Sequence, residues 1–277
     1  MTELKHVQVR REGAVAVWTL VNPPRNLMNA TMVSEMTALA DEIAADESTR
    51  VLIITGGADG IFITHYDVGE LSTLSDAVRE RAPTAAEPPT ASEQRPVELH
   101  AMNKLTLKLQ SLPQPVIAAI NGTAMGGGCE LTLACDFRIM AEGYQIGLPE
   151  VRVGILPGAG GTQRMTRLLG VARAMELMLL GNTLEATDAA RVGLLHRAVP
   201  GERVLDEAMV LANELASRPR TSLAEIKQCI LRAQETPLED GLRYEQQAFM
   251  RTMRSNDASR LMKQYLTADR PLNEMRE

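Results

Sequence analysis

The stretch PVIAAINGTAMGGGCELTLACDFRIMAE, residues 115–142, contains two short apolar runs separated by three consecutive glycines. The first run, 116–122, is apolar up to its final Asn-Gly pair, which is typical of a strand buried on both faces. The same pattern occurs earlier in the chain at 51–56, and more weakly at 137–140. Helical patterns lie between these runs, and this alternation predicts βαβ units. We therefore expect an α/β fold.

The segments on the N-terminal side of this stretch predict a hairpin and two helices. Residues 7–21 contain two β-rich runs on either side of a turn signal, which predicts a β-hairpin. From 31 to 46, apolar residues recur at helical spacing and predict an amphipathic helix. A further helix is expected shortly before residue 115, and its apolar face is predicted to consist of Leu99, Met102, Leu105 and Leu109.

Residues 72–98 interrupt the alternation of strands and helices. Four of the fourteen prolines fall between 83 and 96, mixed with Ala, Thr, Ser and Glu, and this composition predicts a mobile surface excursion. After Pro200 the strand signals end, and helical periodicity continues to about residue 268. We therefore expect a core domain over 1–203 and a separate helical region over 204–277.

The composition limits the class of protein. A chain of 277 residues with 45% apolar residues can form one large domain with a substantial core. A net charge of −6 and an aromatic content of 3% argue against a nucleic-acid partner. The sequence has no apolar stretch long enough to cross a bilayer and no signal-peptide core at its start. The three cysteines, Cys129, Cys135 and Cys229, cannot all pair, and their spacing is not that of zinc ligands. We therefore expect a reduced, cytoplasmic protein without a metal site.

Two glutamates lie in frames that are rich in glycine and proline. Glu130 follows the glycines at 126–128, and Glu150 follows Pro149 and precedes the glycine-rich run 157–162. A partly buried carboxyl group has a raised pKa, as a general acid or base near neutral pH requires. Backbone N–H groups at the glycines could hold negative charge that develops on a substrate. The alternatives are a tight strand-to-helix turn without a ligand and a solvated glutamate.

His65 is the third candidate, in the segment 61–68 that follows the strand at 51–56. A histidine near carboxylates could act as a base, but a packing role in a loop is the favoured interpretation. The sequence lacks a Gly-x-Ser-x-Gly elbow, a dinucleotide fingerprint and a P-loop. The other histidines have no supporting pattern around them: His6, His100 and His196.

The motifs at 115–142 and 146–170, the latter reading IGLPEVRVGILPGAGGTQRMTRLLG, resemble the crotonase superfamily of enoyl-CoA hydratase/isomerase proteins. The resemblance extends from about residue 15 to 267 and is greatest to enoyl-CoA hydratases. It implies a spiral of repeated ββα units over 1–203. It also implies that the helices over 204–277 mediate trimer formation, with two trimers commonly stacked as a hexamer.

The resemblance also implies roles for individual residues. A CoA thioester would bind with its carbonyl oxygen between the backbone N–H groups of Tyr66 and Gly127. Glu150 would exchange the proton at the α-carbon, while Glu130 would orient and help to deprotonate the water that adds at the β-carbon. No metal or redox cofactor is implied, because coenzyme A enters as part of the substrate. The loop that lines bound substrate would consist of Tyr66, Asp67, Val68 and Gly69, together with Gly127.

The chain departs from the family pattern in the loop of the first oxyanion donor. Residues 64–67 read Thr-His-Tyr-Asp, where the family usually has small residues in a pattern such as Ala-Gly-Ala-Asp. Only the N–H group of Tyr66 is needed, but the side chains of His65 and Tyr66 are expected to narrow or reshape the acyl pocket. The basic residue near the C-terminus that contacts the CoA phosphate has one candidate, Arg270.

The sequence therefore predicts an enoyl-CoA hydratase that adds water reversibly to a trans-2-enoyl-CoA to give a 3-hydroxyacyl-CoA. This reaction belongs to fatty-acid or related acyl-CoA metabolism. The expected assembly is a homotrimer or homohexamer without a nucleic-acid or membrane partner. Two alternatives remain open: related enolate chemistry, such as isomerisation or His65-assisted C–C hydrolysis, and a non-catalytic acyl-CoA-binding protein.

Overall fold

The chain folds into two β-sheets with helices around and between them. The computed structural model describes residues 4–81, 98–268 and 271–272. The strands are β1 (Val7–Glu12), β2 (Val15–Leu20), β3 (Val51–Gly56), β4 (Gly60–Ile63), β5 (Val116–Ile120), β6 (Gly122–Met125), β7 (Phe137–Ala141), β8 (Gln145–Gly147), β9 (Thr183–Glu185) and β10 (Arg197–Val199).

The helices are α1 (Ala30–Ala45), α2 (Val68–Arg81), α3 (Ala101–Ser111), α4 (Gly127–Leu133), α5 (Gly161–Leu169), α6 (Val171–Leu180), α7 (Ala186–Arg191), α8 (Val204–Ser217), α9 (Arg220–Ala233), α10 (Leu238–Met253) and α11 (Asn256–Thr267). Two short 3-10 turns, Glu150–Val153 and Gly201–Arg203, complete the elements.

Successive turns of the chain add one strand to each sheet. The six-stranded sheet has the order β1-β2-β3-β5-β7-β10, and the four-stranded sheet has the order β4-β6-β8-β9. The pairs β3/β4, β5/β6 and β7/β8 are each consecutive in sequence, and the first member of each pair always joins the larger sheet. All neighbours are parallel except β1/β2 and β8/β9. This is the predicted α/β spiral of ββα units.

The central strands of the larger sheet are buried on both faces, as their continuous apolar runs predict. In β3, Leu52 and Ile54 point into a core that contains side chains of α1 and α3. Ile53 points to the opposite face, where it packs with Ala208 and Ala212 of α8. Because period-two alternation sends neighbouring residues to opposite faces, both faces require apolar side chains.

The hairpin and the first helix are confirmed, and the predicted strand at 116–122 requires a correction. This run divides at Asn121, whose Oδ1 accepts a hydrogen bond from Gly56 N at 2.9 Å and whose Nδ2 donates to Ala58 O at 3.0 Å. The chain changes sheets at this residue, so Gly122 begins a strand of the smaller sheet. An apolar run by itself does not indicate such a corner.

Two further expectations differ from the structure. Residues 72–81 of the predicted excursion 72–98 belong to α2, a largely exposed helix, and 82–97 lie outside the described residues. The Ser- and Asp-containing sequence of this segment did not suggest a helix. Leu99 precedes α3 and is exposed, whereas Met102, Leu105 and Leu109 form the buried face as predicted.

The C-terminal helices begin at α8, close to the predicted boundary of 203/204, and the division into two domains stays a prediction. Helix α8 packs on the larger sheet, and α9 is fastened to it by a buried ion pair. Lys227 Nζ lies 2.8 Å from Asp136 Oδ2 and 3.2 Å from Gln114 O. None of the helices within the described ranges is long and apolar enough to cross a membrane.

Lys227→Met is expected to lower the free energy of unfolding by about 3 kcal/mol, because it leaves Asp136 buried without its cation. Urea unfolding of the wild type and the variant measures the difference. Arg243→Met is the matched control, since Arg243 pairs with Glu239 on an exposed helix surface and its loss should cost less than about 1 kcal/mol. Equal effects of the two replacements would show that the buried pair does not fasten α9.

Candidate active site

Glu130 is held in a buried position by two backbone N–H groups. It lies on α4 and is only 4% exposed. Its Oε1 accepts hydrogen bonds from Ala159 N at 2.7 Å and from Gly161 N at 2.8 Å, both in the glycine-rich segment that enters α5. Burial raises the pKa of Glu130, and the two N–H groups oppose that rise. The glycine run signalled a backbone contact, but sequence analysis did not identify Ala159 as a donor.

Glu150 begins the 3-10 turn that follows β8, and its carboxyl group is partly buried. Its Oε2 is buried and has no hydrogen-bond partner among the residues that the structure describes. Burial raises the pKa of Glu150 to about 7, and the negative charge of Glu130 adds to the rise. A carboxyl group with this pKa can gain or lose a proton near neutral pH.

The triple glycine allows the two carboxylates to approach one end of α4. Gly126 has φ 51°, and a Cβ atom there would lie 3.2 Å from Glu150 Oε1. A Cβ atom on Gly128 would lie 2.6 Å from Ile63 O of β4, so α4 can rest directly on that strand only without a side chain. The glycines therefore serve close packing as well as access to the backbone, and they place Glu130 and Glu150 within electrostatic reach of each other.

Two unpaired N–H groups lie side by side next to this pair of acids. Met28 N donates to His65 O at 3.0 Å, and Asp67 N donates to Met28 O at 2.7 Å. The N–H group of Tyr66 therefore points away from Met28, since it lies opposite the His65 carbonyl in the same peptide unit. A Cβ atom on Gly127 would lie 3.7 Å from Tyr66 N, and the Gly127 N–H group lies in the first turn of α4. Within the described part of the chain, neither N–H group has an acceptor.

The ring of His65 is turned toward its own backbone. Its Nδ1 lies 2.7 Å from Tyr66 O, and because a carbonyl oxygen only accepts, Nδ1 carries the proton. Nε2 then accepts from Arg25 Nη2 at 3.3 Å. Both ring nitrogens are engaged in the loop, which favours the packing role over a free base. The Cβ atom of His65 nevertheless lies beside Gly126, 3.7 Å from the position that a Cβ atom there would take.

The remaining residues predicted to line the substrate lie at the start of α2. Asp67 Oδ1 accepts from Gly69 N at 2.7 Å, so this carboxylate caps the helix. Val68 is exposed in the first turn. The phenol of Tyr66 is partly buried, and burial, assisted by the carboxylate of Glu70, raises the pKa of this phenol.

Other candidate features lie outside this group of residues. A cavity of about 830 Å³ adjoins the loop that contacts Glu130, and its lining includes residues of α3, α5 and α9 and of the segment 133–138. It includes Gly158 and Gly160 but neither glutamate. The described residues contain no cluster of His, Cys, Asp and Glu that could hold a metal ion. Arg270, the candidate for the CoA phosphate, lies outside the described residues.

As the pH rises from about 5 to about 8, Glu150→Gln should become more stable relative to the wild type. The folded-state pKa of Glu150, about 7, lies above its ordinary value of 4.5. The stability linked to the protonated group is therefore complete below pH 4.5 and is lost as the pH rises through about 7, and glutamine has no such loss. Urea unfolding of the wild type and the variant at both pH values measures the difference in their free energies of unfolding.

The control for this experiment is Glu142→Gln at an exposed position after β7. Subtracting its effect removes the general consequence of losing one negative charge. The structure shows the carboxyl group of Glu150 shielded from water. If the stability of Glu150→Gln relative to the wild type is the same at both pH values, that shielding is contradicted.

Comparison with known proteins places this geometry in a family. The family model described as Enoyl-CoA hydratase/isomerase matches residues 10–272. The chain is 32% identical over 265 residues to the short-chain-enoyl-CoA hydratase of Clostridium acetobutylicum, with 95% of each protein covered. It is 34% identical over 266 residues to a probable enoyl-CoA hydratase of Mycobacterium tuberculosis, with 96% of each covered. The crystal structure of an enoyl-CoA hydratase from Bacillus anthracis matches with a TM-score of 0.83 at 31% identity, covering 94% of this chain and 96% of that one. The chain therefore belongs to the enoyl-CoA hydratase/isomerase family, the crotonase superfamily.

Proposed function

We propose that the protein is an enoyl-CoA hydratase that adds water to a trans-2-enoyl-CoA and forms a 3-hydroxyacyl-CoA. The observation that carries this proposal is the pair of adjacent, unpaired N–H groups of Tyr66 and Gly127 beside one buried and one partly buried carboxyl group. The N–H groups suit a thioester oxygen, and the carboxyl groups suit proton transfer at the neighbouring carbons. The relatives named above support the same reaction.

In this mechanism, the two N–H groups stabilise the negative charge that develops on the thioester oxygen. When water attacks the β-carbon, the electrons of the double bond move toward the carbonyl group, and an enolate-like oxygen forms. Donors that are already in place need no reorganisation at that moment. Removal of one such donor typically costs about 3–4 kcal/mol of transition-state stabilisation. Tyr66 and Gly127 would supply these donors through the backbone alone.

The two glutamates would handle the protons of the reaction. The N–H groups of Ala159 and Gly161 occupy Oε1 of Glu130, which leaves its other oxygen to orient the water and accept a proton from it. Glu150, with a pKa of about 7, would deliver a proton to the α-carbon. The oxygen of water then bonds to the β-carbon. Glu130 gains one proton from water and Glu150 gives one to the α-carbon, so the pair of glutamates keeps the same total number of protons. Water is thus added across the double bond without a redox step.

The purified protein should remove the absorbance of the conjugated thioester when it is mixed with crotonyl-CoA or with longer enoyl-CoAs. Glu130→Gln and Glu150→Gln should each lower kcat by about 10²- to 10⁴-fold, because each removes one proton-transfer group. Glu142→Gln, outside the site, is the matched control and should retain activity. A folded wild-type sample that leaves the absorbance unchanged at every chain length would exclude hydration.

Related enolate chemistry is the second candidate, because the Cβ atom of His65 and Glu150 Oε1 both border Gly126. His65→Ala should leave a hydratase largely active but should abolish a hydrolase that depends on this ring for C–C cleavage. Glu130→Gln should affect water addition most, whereas double-bond isomerisation can proceed with one acid/base group. Identification of the products by mass spectrometry distinguishes these reactions.

We also propose that the protein is a cytoplasmic homotrimer or homohexamer whose only coenzyme is the CoA carried by the substrate. Large apolar side chains on α10 and α11 are exposed in the single chain, which favours their burial by further copies.

Sedimentation should give three or six times the chain mass of 30.2 kDa. Leu242→Glu combined with Phe249→Glu should weaken assembly, while Leu74→Glu on α2 should not. A monomeric wild type would contradict the proposal. The exposed large apolar side chains on α10 and α11 are Leu238, Leu242, Phe249, Met250, Met253, Met262, Tyr265 and Leu266.

A further inference from the structure

His100 lies at the N-terminus of α3, where its ring joins that helix to the loop beneath Glu130. His100 Nε2 lies 2.8 Å from Gly158 O, and Asn103 Nδ2 lies 3.1 Å from the same oxygen. Because a carbonyl oxygen only accepts, Nε2 carries the ring proton. Nδ1 then accepts from Asn103 N at 3.4 Å, which is the arrangement of an N-cap. The ring therefore contacts its own helix through Nδ1 and the loop through Nε2. Asn103 Nδ2 lies 3.1 Å from Nε2, because both donors converge on Gly158 O.

The contact with Gly158 O is linked to Glu130 through one rigid peptide unit. The carbonyl group of Gly158 and the N–H group of Ala159 belong to the same planar, trans peptide, so they point in opposite directions. Ala159 N donates to Glu130 Oε1 at 2.7 Å. Donors that hold Gly158 O on one side therefore fix the direction of the N–H group that holds the carboxylate on the other.

The second donor to Glu130 is held in a different way. Gly161 N is in the first turn of α5, and the carbonyl of the preceding Gly160 accepts from Arg164 N at 2.8 Å within that helix. Arg164 also donates from Nη1 to Ala159 O at 3.1 Å. The direction of the Gly161 N–H group is thus set by α5 itself, whereas the direction of the Ala159 N–H group depends on donors from α3.

We propose that His100, assisted by Asn103, is a positioning residue that orients the carboxylate of Glu130 through the Gly158–Ala159 peptide. This inference rests on the proposed function only for its effect on catalysis, because the contact with Glu130 exists whether or not that residue is catalytic. Sequence analysis found no supporting pattern around His100, since its partner lies 58 residues away.

The other charged or titratable groups near Glu130 are Glu150 on the 3-10 turn, Arg164 on α5 and Cys129 on α4. They stay the same in every variant proposed below. Loss of the Ala159 hydrogen bond raises the pKa of Glu130, because a donated N–H stabilises the carboxylate. A protonated His100 ring would also lower the pKa of Glu130 by its charge, so the variants must separate the hydrogen bond from the charge.

Three replacements at position 100 separate these contributions. His100→Asn keeps an N-cap acceptor for α3 but is too short to reach Gly158 O. His100→Gln places an amide N–H near the position of Nε2 but is a poor cap and has no charge. His100→Ala removes both contacts. The proposal expects activity to follow the donor to Gly158 O rather than the cap, so Gln should behave like the wild type, and Asn should behave like Ala.

The first readout is the pH dependence of kcat and KM with an enoyl-CoA. His100→Ala and His100→Asn should lower kcat by about tenfold, with KM changed less than about twofold, because a slightly misplaced group affects the chemical step most. The acidic limb of the pH profile should move to higher pH in both. His100→Gln should restore kcat and the pH profile. A merely structural role would lower the amount of active protein without moving the profile.

The second readout does not need activity. Carbon-13 NMR of glutamate-labelled protein follows the titration of the Glu130 carboxyl group, which Glu130→Gln identifies. Its midpoint should rise in His100→Ala and His100→Asn and return in His100→Gln. If the midpoint does not move in the folded Ala variant, the positioning role is refuted. If it moves while Glu130→Gln remains fully active, positioning is upheld, and the proposed role of Glu130 in hydration fails instead.

Discussion

The close contact of α4 with β4 is the constraint on which the site depends. Gly128 allows the helix backbone to meet Ile63 O, and a Cβ atom at this position would leave only 2.6 Å to that oxygen. With α4 this close to the strand, Gly127 lies beside Tyr66 N, and Glu130 faces the loop before α5. A methyl group at position 128 would push α4 away from β4, and this shift would move the N–H group of Gly127 away from the N–H group of Tyr66.

The two acids are buried by different means, and this difference gives them different properties. Glu130 is almost completely covered, but Ala159 and Gly161 compensate with N–H groups that favour its charge. Glu150 is less covered, yet its Oε2 has no partner within the described residues, and its pKa rises to about 7. Two similar side chains are thus suited to unlike tasks, the one to staying ionised until it takes a proton from water and the other to delivering a proton near neutral pH.

Much of the fold could be predicted from the sequence because strands buried on both faces leave continuous apolar runs, as in β3 and β5. The corner at Asn121 could not be predicted, since its partners lie on the preceding turn of the spiral, 65 residues away at Gly56. In the site, the glycine runs indicated close backbone contacts, and the resemblance to the family singled out Tyr66. The donors to Glu130 and the contact of His100 depend on distances between separate elements, which local patterns do not contain.

The loop at His65 and Tyr66 has a consequence for how substrate choice could diverge in this protein. The proposed oxyanion donors are backbone groups, and the hydrogen bonds between Met28 and the peptides on either side of Tyr66 set the direction of the Tyr66 N–H group. The His65 ring takes part in that geometry through its hydrogen bond to Tyr66 O, whereas Tyr66 contributes its N–H group whatever its side chain is. Mutation of Tyr66 can therefore alter the shape of the space around the acyl group while the reactive centre is left intact. At Tyr66, substrate selectivity and the stabilisation of the oxyanion can therefore change independently of each other.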